Sequence, residues 1–229
     1  MVKNHLSRLN APTSWPIKRK GIKFITRPSS GPHTLRESLP LSLVVTHLLK
    51  YARTRKEVKK ILNEKKILVN STPRKDLGYA VGLMDIIAIP TLDEAYRVFY
   101  NEKGKFQLHP LPQEERDLKP VQIKDKKIVK QGKIQLNYSD GTNQLITNES
   151  YRTRDTLLLS MKDKKITQHF PFTKGARVYI TGGTKRGTVG ILEDTKGNTI
   201  VVKSPKGSFE TAKRYAFVIG NIQTLMENI

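Results

Sequence analysis

The chain contains no cysteine, which excludes disulfides, thiolate zinc sites and cysteine nucleophiles together. Acid is scarce: 20 aspartates and glutamates stand against 42 lysines and arginines among 229 residues, a formal charge of +22. Long apolar runs are also missing, and none approaches the roughly 18 residues that a membrane span needs. The first thirty residues hold no apolar stretch of signal-peptide type. From these absences we expect a soluble, cytoplasmic protein with no membrane partner. Hydrophobic residues make up 37% of the chain, low for a compact globule. Some segments are therefore expected to be extended, or to gain order from a partner.

What the chain has in excess is positive charge, and it comes in blocks. The first 36 positions hold eight basic residues (Lys3, Arg8, Lys18, Arg19, Lys20, Lys23, Arg27 and Arg36) and no acid. A second block runs from Lys50 to Lys66. Such a surface repels itself unless something anionic neutralises it. Clustered cations of this kind are the electrostatic footprint of a phosphate backbone, where binding releases counterions. A nucleic-acid partner is the expectation from charge alone.

Length allows two or three small domains, each with a modest core. Residues 1–38 read as a basic arm. Pro12, Pro16, Pro28 and Pro32 fix φ and remove backbone donors, so no continuous helix crosses them. The arm has no core of its own and is expected to be disordered until it meets a partner. Trp15, the lone tryptophan, is either a base-stacking platform or an anchor that docks the arm onto a domain.

Residues 39–95 show regular signals. Leu41, Val44, Val45, Leu48 and Leu49 recur at three-and-four spacing, the pattern of a short amphipathic helix. Thr54-Arg55-Lys56-Glu57 is a capping box that starts a second helix. Val58, Ile61 and Leu62 form its buried stripe, while Arg55, Lys56, Lys59 and Lys60 fall largely elsewhere and Arg53 precedes the cap. Lys66-Ile67-Leu68-Val69-Asn70 and Asp85-Ile86-Ile87-Ala88-Ile89-Pro90 read as short strands, the second ended by proline. Two helices, a cationic face and two strands together resemble the small alpha-L RNA-binding module.

Residues 96–172 read as a central all-β domain, with strands at Val121–Ile123, Ile128–Val129, Lys133–Leu136 and Leu157–Leu159. Turn signals at Glu102-Lys103-Gly104, Gln131-Gly132 and Asp140-Gly141 separate them, and residues 110–120 read as a connector. Short strands with tight turns suggest a small barrel. In residues 173–229, Val178 and Ile180 alternate on one strand and Val189 and Ile191 on the next. Between them lies a glycine-rich loop carrying Lys185 and Arg186, followed by a hairpin at Lys196-Gly197-Asn198 and an apolar strand at Phe217–Ile219. This segment resembles a KOW motif. Gly182 and Gly187 have the spacing of P-loop glycines, but Thr188 follows where that chemistry needs lysine, and the loop leads into a strand instead of a helix. Nucleotide binding is rejected.

The order of these pieces is more specific than any one of them. His5-Leu6-Ser7-Arg8-Leu9-Asn10-Ala11-Pro12, Trp15-Pro16-Ile17-Lys18-Arg19-Lys20, Tyr51-Ala52 through Lys59-Lys60-Ile61-Leu62, Gly82-Leu83-Met84-Asp85-Ile86-Ile87, Gln135-Leu136-Asn137 with Asp140-Gly141, and Phe217-Val218-Ile219-Gly220 resemble blocks of the archaeal and eukaryotic family of small-subunit ribosomal protein four. The likeness spans nearly the whole chain and leans to the archaeal side, because the longer eukaryotic tail is lacking. It implies an α+β, multi-domain fold: the basic extended arm, the alpha-L module, a central small β-barrel and a C-terminal SH3-like KOW barrel. It also implies a structural, non-catalytic protein of the small ribosomal subunit, with rRNA and neighbouring ribosomal proteins as partners. The RNA-binding candidates are then His5, Arg8, Trp15, Lys18, Arg19, Lys20, Lys23 and Arg27 in the arm. Arg53, Arg55, Lys56, Lys59, Lys60 and Lys66 belong to the module, and Lys185 and Arg186 to the glycine loop.

An enzyme would need convergent reactive groups. His5, His33, His47, His109 and His169 are scattered, with no pair at metal-binding helical spacing. Asp93-Glu94 and Glu114-Glu115 are sequence neighbours that point apart, and no serine sits in a nucleophile-elbow setting. No cofactor, metal or small-molecule substrate is expected. Two alternatives remain: a KOW-bearing transcription or assembly factor, and an RNA-modifying enzyme holding substrate with the alpha-L module. Residues 96–229 are short for the catalytic domain that the second would need.

Overall fold

The computed structural model describes residues 5–129, 132–146 and 150–220. Lys3, part of the arm's charge, and Gln131, part of one expected turn, lie outside them. The chain divides into two compact units, Met1–Tyr100 with Lys105–Asp117, and Asn101–Gly104 with Leu118–Ile229. The architecture is mostly β.

In the first unit, β1 (His5–Ser7) and β2 (Phe24–Thr26) pair antiparallel within the arm. The prolines do prevent a long helix, yet the arm is not coreless. Trp15 and Ile25 are buried, and the Trp15 indole N–H donates to the Ser38 carbonyl at 2.8 Å. The Phe106 amide donates to the Ser14 carbonyl at 2.9 Å. The expectation of an arm that orders only on a partner is thus corrected: its apolar residues are few, but Trp15 and Ile25 are spent on docking. Burying one tryptophan removes enough apolar surface to hold a short segment.

β3 (Ser38–Pro40) pairs with β6 (Ala80–Gly82). Between them come α1 (Leu41–Leu43), α2 (Arg55–Asn63), β4 (Leu68–Val69) and β5 (Thr72–Pro73). The helix expected over Leu41–Leu49 forms, but only its first turn is α; Val44–Leu48 widens into a π-helix. The Thr46 hydroxyl donates to the Ser42 carbonyl at 2.9 Å, and the Leu49 amide reaches back to Val44 at 2.9 Å. A threonine bonding into its own preceding turn is a known cause of such bending. The unit's main sheet runs β5-β4-β7-β8-β9, where β7 is Ile86–Ile89, β8 is Glu94–Tyr100 and β9 is Phe106–Pro110. The sheet therefore continues past the boundary expected at residue 95. The turn at Glu102-Lys103-Gly104 closes the β8–β9 hairpin of this sheet.

Two buried polar groups tie this unit together. Asp85, fully buried, accepts from the Asn70 side chain at 2.8 Å and the Gly82 amide at 2.8 Å, and lies 3.0 Å from His33 Nε2. A Cβ on Gly82 would sit 2.3 Å from the His33 ring, so only glycine lets the imidazole reach Asp85. Arg97, also fully buried, donates to Glu115 at 2.9 Å. Burial lowers the Arg97 pKa and the Glu115 carboxylate opposes that shift.

In the second unit, one five-stranded ladder runs β12-β11-β10-β13-β14. These are β10 (Leu118–Ile128), β11 (Ile134–Tyr138), β12 (Asn143–Ile146), β13 (Thr156–Ser160) and β14 (Ile166–Phe170). The separate strands expected at 121–123 and 128–129 are one, and it begins inside the expected connector. Pro120 is tolerated because Leu118–Gln122 pairs only with β13, whereas the ladder to β11 starts at Ile123. The other ladder runs β18-β17-β16-β15-β19. Its strands are β15 (Arg177–Ile180), β16 (Val189–Lys196), β17 (Thr199–Ser204), β18 (Gly207–Ala212) and β19 (Ala216–Val218). The two ladders share this unit across residue 172, where a domain boundary was expected. The Gln122 side-chain amide donates to the Ala216 carbonyl at 2.7 Å, and Asp155 holds the Phe172 amide at 2.9 Å and His169 at 2.8 Å.

Val178 and Ile180 line the core of the last ladder as expected. On β16 the inner face is Gly190 and Leu192, while Ile191 is exposed. The register pairs Val178 with Gly190, and cross-strand partners share a face. A Cβ at Gly190 would lie 2.5 Å from Val202, so this inward position has room only for hydrogen.

Two stability predictions arise here. Trp15→Ala should cost about 3–5 kcal/mol, the usual range for deleting a buried large aromatic. Limited proteolysis then cuts the arm of the variant while the wild-type arm is protected; equal cutting would contradict the docking. The second concerns the buried Lys119–Asp140 pair, 2.8 Å apart. Burial works against the charged Asp140, but the Lys119 ammonium and the Thr142 donors outweigh it and lower its pKa. A lowered carboxylate pKa stabilises the fold above the unfolded value of about 3.9 and loses that contribution as pH falls through the folded value. Asp140→Ala should cost about 3–5 kcal/mol near neutrality by leaving a buried ammonium without its carboxylate. In denaturant titrations the gap between wild type and variant should narrow below pH ~4.

Candidate nucleic-acid interface

The capping box forms as the sequence indicates. Thr54 Oγ accepts the Glu57 amide at 3.3 Å, and Glu57 takes the Arg53 and Thr54 amides at 2.9 and 3.4 Å. The backbone N–H of Arg53, then the Thr54 hydroxyl, hold the Glu57 carboxyl below its ordinary pKa. With the start of α2 fixed, its rotation follows: Val58 and Leu62 are buried, Ile61 is half-buried, and Arg55, Lys56, Lys59 and Lys60 are exposed with Arg53. Arg55 with Lys59, and Lys56 with Lys60, are i,i+4 pairs of like charge, each mildly destabilising by a few tenths of a kcal/mol. No acid relieves them from the helix, because Glu57 is turned to the cap. Glu64, just beyond, pairs with Lys66 at 2.7 Å, so Lys66 is the least available of the module's cations.

The arm adds to this surface. His5, Lys18, Arg19, Lys20, Lys23 and Arg27 are exposed, and Arg8 is half-buried. Arg8 donates to the Lys18 carbonyl at 2.8 Å and Arg19 to the Leu9 carbonyl at 3.3 Å, which holds the arm's loop. The pKa of His47 is lowered, first by burial and then by the positive charge of Arg8. Arm and helical module thus crowd cations within one unit. Trp15 does not belong to this surface. Its ring is buried, so of its two readings the structure takes the anchor and leaves no face for a base. The exposed aromatic of the arm is Phe24, which is absent from the candidates expected from sequence. The ring-bearing position next to Lys23 was the available signal.

In the second unit, Lys185 is exposed, 5.8 Å from the Phe209 ring, and Arg186 is half-buried with its side chain against Gly104. Gly183 and Gly187 adopt φ of +80° and +87°, conformations suited to glycine. Gly182 is needed for space: a Cβ there would lie 2.4 Å from the Tyr215 ring. The Tyr215 carbonyl in turn accepts from the Thr181 amide at 2.9 Å. The loop's two cations are therefore presented by a packed turn of the second unit.

Among the described residues, no group of three or more His, Cys, Asp or Glu is placed to hold a metal ion. No helix among them is long and apolar enough to cross a membrane. Fold and surface define a modular, mostly β protein whose chemistry-bearing feature is exposed positive charge.

Comparison with known proteins agrees along the chain. Residues 2–36 match the RS4NT (NUC023) domain, residues 41–87 the S4 domain and residues 92–166 ribosomal family S4e. The small ribosomal subunit protein eS4 of Methanocella arvoryzae is 40% identical, over 100% of this chain and 99% of its own. That of Methanocaldococcus jannaschii is 40% identical over 98% of this chain and 97% of its own. The crystal structure of the 30S ribosomal protein S4e from Thermoplasma acidophilum superposes with a TM-score of 0.69 at 29% identity, covering 80% of this chain and 95% of that one. The class is thus that of ribosomal proteins carrying an S4 domain. The chain belongs to ribosomal family S4e.

The packed glycine turn generates one prediction. Gly182→Ala should destabilise by about 1–3 kcal/mol through overpacking against Tyr215. Thermal melting of Gly182→Ala, Tyr215→Ala and the double variant should show non-additive costs, because the two residues pack directly on each other.

Proposed function

We propose that this protein is a structural constituent of the small ribosomal subunit, binding rRNA through phosphate and shape contacts and performing no catalysis. The observation that carries the reading is the exposed cationic face of α2 in a chain whose full-length relatives are named small ribosomal subunit protein eS4. A-form RNA hides base edges in a deep, narrow groove, so contacts to phosphate and helix shape dominate over sequence readout. Arg53, Arg55, Lys56, Lys59 and Lys60 serve a helix or junction, and Arg8, Lys18, Arg19, Lys20, Lys23 and Arg27 serve RNA that crowds around the docked arm. His5 lies at the edge of that arm surface, and Lys66 adds field from its ion pair. Lys185 and Arg186 face a further RNA segment or a neighbouring ribosomal protein. The location that goes with this role is the cytoplasm, within the subunit.

The finer architecture is also our reading: an alpha-L module on α2, β4 and β7, a small central barrel, and a KOW-like SH3 barrel at the C-terminus. Register shifts in β10 between Ile123 and Asp125, and in β16 between Leu192 and Asp194, support curvature in both ladders. Bulges bend a strand and raise its twist, as closure into a barrel requires.

The test is the salt dependence of binding to small-subunit rRNA. Lys59→Ala with Lys60→Ala should weaken binding and reduce the log–log salt slope by about one for each phosphate that is no longer neutralised. An unchanged slope removes this face from the interface. Preference for nascent messenger or for tRNA over small-subunit rRNA would favour a KOW-bearing factor or a modifying enzyme instead.

A further inference from the structure

We propose that the outer face of the β1–β2 ribbon, centred on Phe24 with His5 beside it, is a stacking site for an unpaired RNA base. The proposal rests on the rRNA-binding reading above and names a contact within it. The ribbon's register pairs Ser7 with Phe24, Leu6 with Ile25 and His5 with Thr26. Alternation then sorts the side chains: Ile25 faces inward and is 8% exposed, whereas Phe24 faces outward and is 48% exposed. Across the ribbon the His5 imidazole meets the Phe24 ring edge-to-face, with centroids 4.8 Å apart and planes at 73°. The Lys23 ammonium lies 5.4 Å from the same ring.

A half-exposed phenyl ring, propped by an imidazole and flanked by an ammonium, has the parts of a nucleotide platform. The occupant follows from charge. The first 36 residues hold eight cations and no acid, and Lys18, Arg19, Lys20 and Lys23 all stand exposed around this ribbon's loop. That field favours a polyanion over an apolar protein surface. Magnitudes favour a base over the present neighbour. An exposed cation–π contact is worth about 0.5–1 kcal/mol, whereas base–aromatic stacking is worth about 1–3 kcal/mol. An arriving base therefore displaces Lys23 from the ring, and the freed ammonium pairs with that nucleotide's phosphate. Stacking of this kind needs a single-stranded or splayed nucleotide, because paired bases are already stacked.

The test uses the full chain and a short single-stranded oligoribonucleotide carrying one 2-aminopurine, whose fluorescence falls on stacking. Phe24→Leu keeps apolar bulk and removes the π face. It should weaken binding of the probe roughly five- to 150-fold and abolish the quench while leaving the salt slope unchanged. Phe24→Trp should restore both. Lys23→Ala should lower the slope and keep the quench. Melting temperatures of the Phe24 variants should match wild type, since the ring is outside the core. A Phe24→Leu protein that binds and quenches like wild type overturns the proposal. So does a wild-type protein that binds folded small-subunit rRNA with its full salt slope yet leaves the probe unquenched, a result that spares the function proposed above.

Discussion

Unrelieved like charge is the constraint under which this chain folds. The interior absorbs few of its cations: Arg97 is buried against Glu115 and Lys119 against Asp140, each with its own carboxylate. Several acids on the surface are committed as well. Glu57 closes a helix cap, Glu64 holds Lys66, Asp93 holds Arg116, Asp194 holds Lys174 and Glu102 holds Lys206. Repulsion between surface charges is modest per pair in water, but summed over so many it leaves a strong positive field. Folding commits its acids to architecture and leaves neutralisation to a polyanion.

The fold turns that field into a shaped surface. A cap sets where α2 begins, and 3.6 residues per turn then decide which side faces out. The buried Trp15 indole and Ile25, with backbone hydrogen bonds at Ser14 and Ser29, hold the arm down, so its cations occupy defined positions instead of a diffuse tail. Preorganisation of this kind lowers the ordering cost at binding. In the second unit Gly182 makes way for the Tyr215 ring, so the loop that carries Lys185 is packed as well.

Local chemistry was legible in the sequence wherever a pattern has one physical solution. Thr54 and Glu57 at capping spacing gave α2 and its outward cations, and Ile86–Ile89 before Pro90 gave a strand end. Non-local pairing was not legible. The hairpin around Glu102-Lys103-Gly104 could be seen, but not which sheet it would join, since β7 lies before the expected boundary. Gly190 reversed the expected faces of β16 because a glycine carries no side chain to reveal that it points inward. Trp15 was ambiguous for a different reason: stacking on a base and docking in a core make the same demand on a sequence. Arg97 was hidden too, because its partner Glu115 lies beyond a whole strand and turn, and nothing local marks an arginine as the one that goes inside.

The most direct test is thermal denaturation of the intact protein, with and without small-subunit rRNA, across a range of salt. If charge relief by RNA is what completes this molecule, rRNA raises the melting temperature strongly at low salt and the gain fades as salt screens the contacts. Without RNA, added salt should itself raise the melting temperature by screening self-repulsion. A melting temperature indifferent to both rRNA and salt would contradict the account.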